Sequence, residues 1–260
     1  MISFVGAGPG AADLITLRGR DRLAAADIVI WASSLVPEEV LSHTRSDAIV
    51  HDSATMTLED VLAVYAAHDG AAIVRLHSGD PSIYGAIQEQ IDWCEAKGRE
   101  YEIVPGVSSL AAAAAAVGRE LTIPKVAQSV VLTRLAGRTA ASMPERESVR
   151  GFAAHGATMA VFLSAARPVE LQDELLAGGY PADTPAAVVV RASWPDEQIV
   201  RTNVGSVAEA VQSTGAKTTV LVLVGPALEG AAERSHLYSP SYAHKFRRRS
   251  APGSTEGRPA

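Results

Sequence analysis

The sequence predicts an α/β protein with two α/β domains, the first built on a mainly parallel sheet and the second on a mixed sheet. Short apolar strands alternate with helical stretches as far as about residue 117, which is typical of a parallel sheet covered by helices. After a linker-like stretch, a second series of strands includes a hairpin-like connection at 193–198, which indicates an antiparallel pair. The chain of 260 residues is long enough for two domains of ordinary size.

These observations divide the chain into four parts. We predict an N-terminal domain at 1–118, a linker at 119–127, a C-terminal domain at 128–235 and a tail at 236–260. The tail carries a basic cluster at 245–249 and ends in proline, glycine and serine, a composition typical of disorder. A contact of this cluster with an anionic partner is the alternative to a solvated tail.

The elements of the N-terminal domain follow from apolar patterning and capping residues. Thr16 is a good helix N-cap, Pro37 suits the first turn of a short helix, and Thr57 with Asp60 forms a capping box. The predicted strands are at 2–5, 27–31, 48–50, 71–76 and 101–104, and the predicted helices are at 17–26, 37–42, 58–68, 83–97 and 110–117.

The C-terminal domain is predicted to be mixed α/β by the same criteria. Continuous apolar runs indicate buried strands, and the stretches between them have helical patterning. The predicted strands are at 129–132, 158–163, 186–191, 199–202 and 218–224, and the predicted helices are at 149–155, 168–177 and 207–212.

Composition excludes several classes of protein. The net charge of −6 does not suggest a nucleic acid partner. No apolar stretch of about 18 residues is present, so we expect no membrane span. The single cysteine, Cys94, excludes an internal disulfide and a cysteine-rich zinc site. Because Met1 leads directly into a strand without a basic region, we expect no secretory signal and a cytoplasmic protein.

Three loops rich in glycine, proline and serine follow buried strands, at 6–10, 78–83 and 105–109. Open α/β sheets bind small molecules beside the carboxyl ends of their strands. Gly79 has no Cβ and therefore allows backbone to approach a ligand closely. The loops offer backbone groups more than acids and bases, which favours a reaction that depends on positioning.

Two motifs suggest other functions, but each matches its pattern incompletely. The run Gly6–Ala11 resembles the dinucleotide fingerprint of a Rossmann-type NAD-dependent oxidoreductase. However, Pro9 lacks an amide, and the second strand ends in Ala32-Ser33-Ser34 where a ribose-binding carboxylate would stand. The run Gly106–Leu110 resembles a nucleophile elbow without its second glycine, and Ser108 there is a good helix cap. No P-loop and no metal-binding motif is present in the sequence.

Taken together and in order, these loops resemble the tetrapyrrole (corrin/porphyrin) methyltransferase family. The resemblance lies in Val5–Gly10 with Asp13–Arg18, in Ser78–Pro81 and in Pro105–Ser109, and it extends over about residues 2–228. It implies an S-adenosylmethionine site in the cleft between the two domains. We expect no metal, because no metal-binding motif is present, and the sequence identifies no catalytic residue. The implied cofactor contacts are Pro9, Gly79, Asp80, Ile83, Ser108, Ser109, Leu163, Ala187 and Ala192.

Further segments are similar to the branch of this family that methylates carbon 11 of precorrin-4, giving precorrin-5 in cobalamin biosynthesis. They are Ser33–Pro37, His51–Ala54, Leu76–Gln90, Leu132–Thr139 and Arg191–Gln198. The uroporphyrinogen branch carries an aspartate after the second strand, where this chain has Ala32 or Ser33, so the resemblance implies a later precorrin. Another precorrin or uroporphyrinogen methyltransferase, and a non-catalytic tetrapyrrole carrier, remain alternatives.

The implied substrate is an anionic tetrapyrrole with several carboxylates. Arginine can bind a carboxylate through two parallel hydrogen bonds. The candidate substrate-binding residues are the glycines Gly8 and Gly10 and the arginines Arg18, Arg134 and Arg138. The resemblance also implies a homodimer.

Overall fold

The part of the chain that the structure describes contains two five-stranded sheets. The structure is a computed structural model that describes residues 1–135, 143, 144, 146–230, 235, 237, 239 and 242–247. The expected tail at 236–260 therefore lies largely outside the described residues, as does Arg138. No helix in the described part of the chain is long and apolar enough to cross a bilayer.

The first sheet is parallel throughout and is covered by helices on both faces. Its strands are β1 (Ile2–Gly6), β2 (Ile28–Trp31), β3 (Ile49–Asp52), β4 (Ile73–His77) and β5 (Tyr101–Val104), and the helices beside it are α1 (Leu17–Ala24), α2 (Leu58–Ala67) and α3 (Gln88–Lys97). The strands lie in the order β3-β2-β4-β1-β5. Helix α1 packs on one face, and helices α2 and α3 pack on the other.

The capping residues Thr16 and Thr57 act as predicted. The Thr16 hydroxyl accepts a hydrogen bond from the Gly19 amide at 3.1 Å, which begins α1. The Thr57 and Asp60 side chains form the reciprocal capping box that begins α2. Contrary to the prediction, Pro37 does not lie in the first turn but is the N-cap residue of a short 3₁₀ helix at Glu38–His43.

The prediction of a helix from Ile83 is wrong, because α3 begins only at Gln88. Tyr84 and Ala86 have positive φ angles of 57° and 50°, which no right-handed helix allows. Gly85 packs so closely that a Cβ at this position would lie 2.1 Å from the carbonyl oxygen of Pro81. The segment is a compact turn between β4 and α3.

The second sheet is mixed, as predicted. Its strands are β6 (Val130–Arg134), β7 (Thr158–Phe162), β8 (Pro185–Val190), β9 (Gln198–Asn203) and β10 (Val220–Val224). They lie in the order β6-β7-β10-β8-β9. Strands β6 and β7 are parallel, the other neighbouring pairs are antiparallel, and β8 and β9 form the predicted hairpin.

Helices cover both faces of this sheet. They are α4 (Ser109–Val117), α5 (Val149–Ala153), α6 (Pro168–Ala177) and α7 (Val207–Ser213). The last three belong to the C-terminal half and bury Leu171, Leu175 and Val207 against one face. The other face is covered by α4, whose Ala113 and Val117 pack among residues of β7, β8 and β10. Thus α4 directly follows β5 in the chain and yet packs on the second sheet.

Candidate functional site

The three glycine-containing loops meet at the carboxyl end of the first sheet. Strand β1 lies between β4 and β5, so the loops that follow these strands are neighbours. The Gly79 amide donates to the Gly8 carbonyl at 2.8 Å, and the Gly8 amide donates in return at 3.3 Å. A Cβ on Gly106 would lie 2.1 Å from the carbonyl oxygen of Gly79 and 2.7 Å from Cα of Gly6. The backbones therefore touch directly, and a side chain at Gly6 or Gly106 would separate the loops.

Asp80 organises two of these loops through both carboxylate oxygens. One oxygen accepts from the Ser82 amide at 2.8 Å and from the Ser82 hydroxyl, and the other accepts from the Gly106 amide at 2.8 Å. Burial disfavours the charged form, but these hydrogen bonds outweigh it, and the pKa of Asp80 is lowered. Asp80 is therefore ionised at neutral pH, and its low pKa makes it a weak base.

A cavity of about 630 Å³ lies between these loops and the second sheet. Eight of the nine predicted cofactor contacts line it, which are Pro9, Gly79, Asp80, Ile83, Ser108, Ser109, Leu163 and Ala192. Ser108 also caps α4, because its hydroxyl accepts from the Leu110 amide at 3.2 Å.

Ala187 is the ninth predicted contact, and it is not part of the cavity wall. It shares a face of β8 with Val189, which does line the cavity, but it lies two residues further from the carboxyl end of the strand. It is buried in the cluster of residues that packs with α4.

The predicted substrate-binding residues are not all placed at the cavity. Gly8 and Gly10 flank Pro9, which lines the cavity. Arg18 is exposed on α1 and does not line the cavity. Arg134, at the end of β6, lines a second cavity of about 340 Å³.

Tyr84 borders both cavities and is half-exposed. Its ring packs on Phe162 at the end of β7, with 5.2 Å between the ring centroids. Arg134 lies near enough for its charge to act on the Tyr84 hydroxyl, although burial dominates and the pKa of Tyr84 is raised. The two cavities are therefore neighbours that share one aromatic side chain.

Several wall residues were missed by the sequence reasoning. Two of them, Tyr84 and Thr219, have positive φ angles, as does the predicted contact Leu163, which is 67% exposed. Non-glycine residues in this region of φ are strained and gather at ligand sites. No sequence pattern marks this conformation. The missed wall residues are Leu35, Ser78, Tyr84, Phe162, Ala165, Ala166, Val189 and the run Lys217–Leu221.

The described part of the cavity wall carries only three ionisable side chains, Asp80, Tyr84 and Lys217. His77 ends the neighbouring strand but is buried, and burial, assisted by the charge of Arg75, lowers its pKa to about 3. No cluster of three metal-ligating side chains occurs among the residues that the structure describes. The wall is thus suited to binding and orientation more than to proton transfer.

Known proteins resemble this chain in sequence and in structure. The family model of tetrapyrrole (corrin/porphyrin) methylases matches residues 1–208. A cobalt-precorrin-4 C(11)-methyltransferase of Methanocaldococcus jannaschii is 46% identical over 250 residues, which cover 95% of this chain and 96% of that protein. A precorrin-4 C(11)-methyltransferase of a Sinorhizobium species is 46% identical over 251 residues, with coverage of 95% and 98%.

Solved structures share the fold. The X-ray structure of a cobalt precorrin-4 methyltransferase has a TM-score of 0.84 and 42% identity, covering 87% of this chain and 95% of that one. A uroporphyrin-III C-methyltransferase from Thermus thermophilus in complex with S-adenosylhomocysteine has a TM-score of 0.72 and 28% identity, with coverage of 90% and 95%. Two sheets in this arrangement, the three loops and the matched sequence together show that the chain belongs to the tetrapyrrole (corrin/porphyrin) methylase family.

Proposed function

We propose that this protein transfers a methyl group from S-adenosylmethionine to carbon 11 of precorrin-4, giving precorrin-5 in cobalamin biosynthesis. One observation carries the proposal. Eight residues that the family resemblance predicts as cofactor contacts come from both halves of the chain and line a single cavity. Relatives that match over nearly their whole length are named as C(11)-methyltransferases of precorrin-4 or cobalt-precorrin-4.

The residues present suit S-adenosylmethionine. The cavity of about 630 Å³ falls within the range of roughly 300–1,000 Å³ that is usual for small-molecule sites. A Cβ on Gly79 would lie 3.6 Å from the Ser109 amide nitrogen and 3.8 Å from Cα of Ser108, so glycine keeps the space between these loops open. Leu163 presents an apolar side chain that a bound adenosine or methionine part would cover.

The chemistry requires alignment more than proton transfer. S-adenosylmethionine supplies an electrophilic methyl group on a positively charged sulfur. A ring carbon of the substrate provides the electron pair for the new carbon–carbon bond, and the carbon–sulfur bond breaks with its electrons going to sulfur. Because the charge on sulfur disappears, the largely apolar wall around Ile83, Leu163 and Leu221 favours transfer. The loops hold donor and acceptor in line.

The second cavity is our candidate for part of the anionic macrocycle. Tyr84 separates it from the donor cavity, and Arg134 offers a guanidinium group to a substrate carboxylate. Thr133 and Leu132 supply neighbouring polar and apolar wall.

Calorimetry with S-adenosylhomocysteine tests the donor site, with NAD as the comparison ligand. We expect binding of S-adenosylhomocysteine and none of NAD, and the reverse would support a Rossmann-type oxidoreductase.

Incubation with S-adenosylmethionine and precorrin-4, followed by NMR, should locate the new methyl group at carbon 11. A parallel incubation with the cobalt-containing substrate shows which form is used. Binding of both substrates without methyl transfer would indicate a tetrapyrrole carrier.

We also propose that the protein is a cytoplasmic homodimer without nucleic acid or membrane partners, as the family resemblance and composition suggest. Sedimentation equilibrium of the purified chain should give twice the monomer mass of 27.1 kDa. A monomer mass at micromolar concentration would contradict the dimer without affecting the proposed reaction.

A further inference from the structure

A loop of the C-terminal domain contacts the first glycine loop of the N-terminal domain. The indole Nε1 of Trp194 donates a hydrogen bond to the carbonyl oxygen of Pro9 at 3.0 Å. The hydroxyl oxygen of Ser193 accepts a hydrogen bond from the amide of Ala11 at 3.0 Å. These bonds lie on either side of Gly10, so the loop between β8 and β9 holds the first glycine loop at two points.

Gly10 allows this contact because it has no side chain. A Cβ at this position would lie 2.2 Å from Cδ1 of Trp194 and 2.6 Å from its Nε1. It would also lie 3.0 Å from the carbonyl oxygen of Ala192. The indole therefore sits directly on the backbone of residue 10, and any larger residue would displace it.

The loop that carries Trp194 is held in a strained conformation by its own contacts. Arg191 and Ser193 have φ angles of 48° and 66°. The Arg191 guanidinium lies 5.3 Å from the centroid of the Trp194 ring and forms an ion pair with Asp196. The Ser193 amide donates to the Glu197 carboxylate at 2.6 Å. Such strain persists only where surrounding contacts maintain it, so the ring is oriented in advance.

This contact joins two parts of the wall of the proposed donor cavity that come from different halves of the chain. Pro9 lines the cavity from the first domain, and Ala192 lines it from the second, two residues before the tryptophan. We propose that Trp194 is a positioning residue that sets the spacing of these two walls and thereby aligns the methyl donor. The inference rests on the proposed methyl transfer, but the contact itself can be tested by ligand binding alone.

The first test replaces the indole by a ring that lacks the N–H donor. Trp194→Phe leaves the Pro9 carbonyl without its partner, and the loss of one such bond corresponds to about fivefold weaker binding of S-adenosylhomocysteine. Because the methyl donor would then be misaligned, kcat should fall by about tenfold, while the KM for the tetrapyrrole should change less than about twofold. Trp93→Phe is the matched control, because Trp93 packs against Tyr65 in the core of the first domain.

A purely structural role gives a different pattern. It predicts that Trp194→Phe lowers the melting temperature as Trp93→Phe does, with kcat and S-adenosylhomocysteine affinity unchanged. That result would overturn the proposal. If the wild-type protein methylates no tetrapyrrole, the proposed function fails, and the calorimetric comparison of the two variants still decides the positioning role.

A double-mutant cycle with Gly10 is the sharper test. Gly10→Ala should weaken S-adenosylhomocysteine binding about fivefold or more in the wild-type background, because the new methyl group displaces the indole. In the Trp194→Ala background most of this effect should vanish, since the ring is already absent. Equal effects of Gly10→Ala in both backgrounds would contradict the proposal and would favour a direct contact of Gly10 with ligand.

Discussion

The carboxylate of Asp80 accepts a hydrogen bond from the backbone amide of Gly106 at 2.8 Å, which ties the loop after β4 to the loop after β5. Its other oxygen is bonded to Ser82 in its own loop. Both oxygens are therefore used within the protein. Asp80 lines the cavity, and the form of the wall around it depends on this one side chain.

Asp80→Asn should weaken both folding and ligand binding. The amide keeps the size of the side chain but places an N–H₂ group against a backbone N–H, which should lower the free energy of unfolding by about 1–3 kcal/mol. Binding of S-adenosylhomocysteine should weaken as well. Asp60→Asn is the matched control, because Asp60 forms the capping box of α2 and should affect stability alone. Urea titrations and calorimetry measure the two quantities, and unchanged affinity in Asp80→Asn would contradict the role of Asp80 in the wall.

Gly106→Ala should be among the most destabilising single substitutions in the chain. Its Cβ would overlap the Gly79 carbonyl, and backbone atoms cannot rotate away as side chains can. We expect a loss of about 3 kcal/mol or more, or failure to fold. At Gly98 the φ angle is +63° and a Cβ would meet no atom within 4 Å, so Gly98→Ala should cost only about 1–2 kcal/mol. Similar unfolding midpoints for the two variants would contradict the direct backbone contact.

Leu163→Gly should separate stability from ligand binding. Glycine adopts the φ angle of 53° without strain, which roughly offsets its greater freedom in the unfolded chain, so stability should change by less than about 1 kcal/mol. Loss of the apolar side chain should weaken S-adenosylhomocysteine binding about tenfold. Leu17→Gly provides the opposite pattern, because Leu17 is 72% exposed at the start of α1 and should affect stability only. If calorimetry shows that Leu163→Gly retains full affinity, Leu163 is not a ligand contact.

The free energy of unfolding should decrease at acidic pH because of the low pKa of His77. Its pKa is about 3 in the folded protein, well below its ordinary value, so the unfolded chain takes up a proton first as the pH falls below about 6.5. Above about pH 6.5, His77 is neutral in both states and does not lower the free energy of unfolding. Protonation of His77 in the unfolded chain should lower that free energy by about 2 kcal/mol between about pH 6.5 and 4.5. His77→Gln should lose this part of the slope, whereas exposed His155→Gln should retain it. Equal slopes for all three proteins in urea titrations would exclude the effect.

Arg134→Ala should raise the KM for the tetrapyrrole by about tenfold or more, with little change in S-adenosylhomocysteine affinity. Arg134 lines the second cavity and not the donor cavity, so its guanidinium should act on substrate carboxylates alone. Arg150→Ala removes an exposed arginine on α5 and serves as the control. Equal weakening of substrate and cofactor binding by Arg134→Ala would reject the assignment, and the same measurements on Arg18→Ala test the exposed arginine of α1.

Sequence reasoning succeeded where local chemistry determines the structure. The cap at Thr16 and the capping box of Thr57 and Asp60 can be read from residue type and position. The close packing of Gly6 and Gly106 between loop backbones could not be predicted, because it depends on which strands are neighbours in the sheet. Sequence reasoning failed between Ile83 and Gln88, because the left-handed conformations of Tyr84 and Ala86 depend on packing after folding. The segment Lys217–Leu221 reaches the cavity through the order of the second sheet, which no local pattern encodes.

The position of α4 has a consequence for attempts to divide the molecule. A fragment that stops at Gly118 would retain this alanine-rich helix but lose the strands β7, β8 and β10, against which Ala113 and Val117 are buried. The complementary fragment would expose one whole face of its sheet to water. We therefore expect each piece to be insoluble when it is expressed alone. Co-expression of the two pieces should restore a soluble complex.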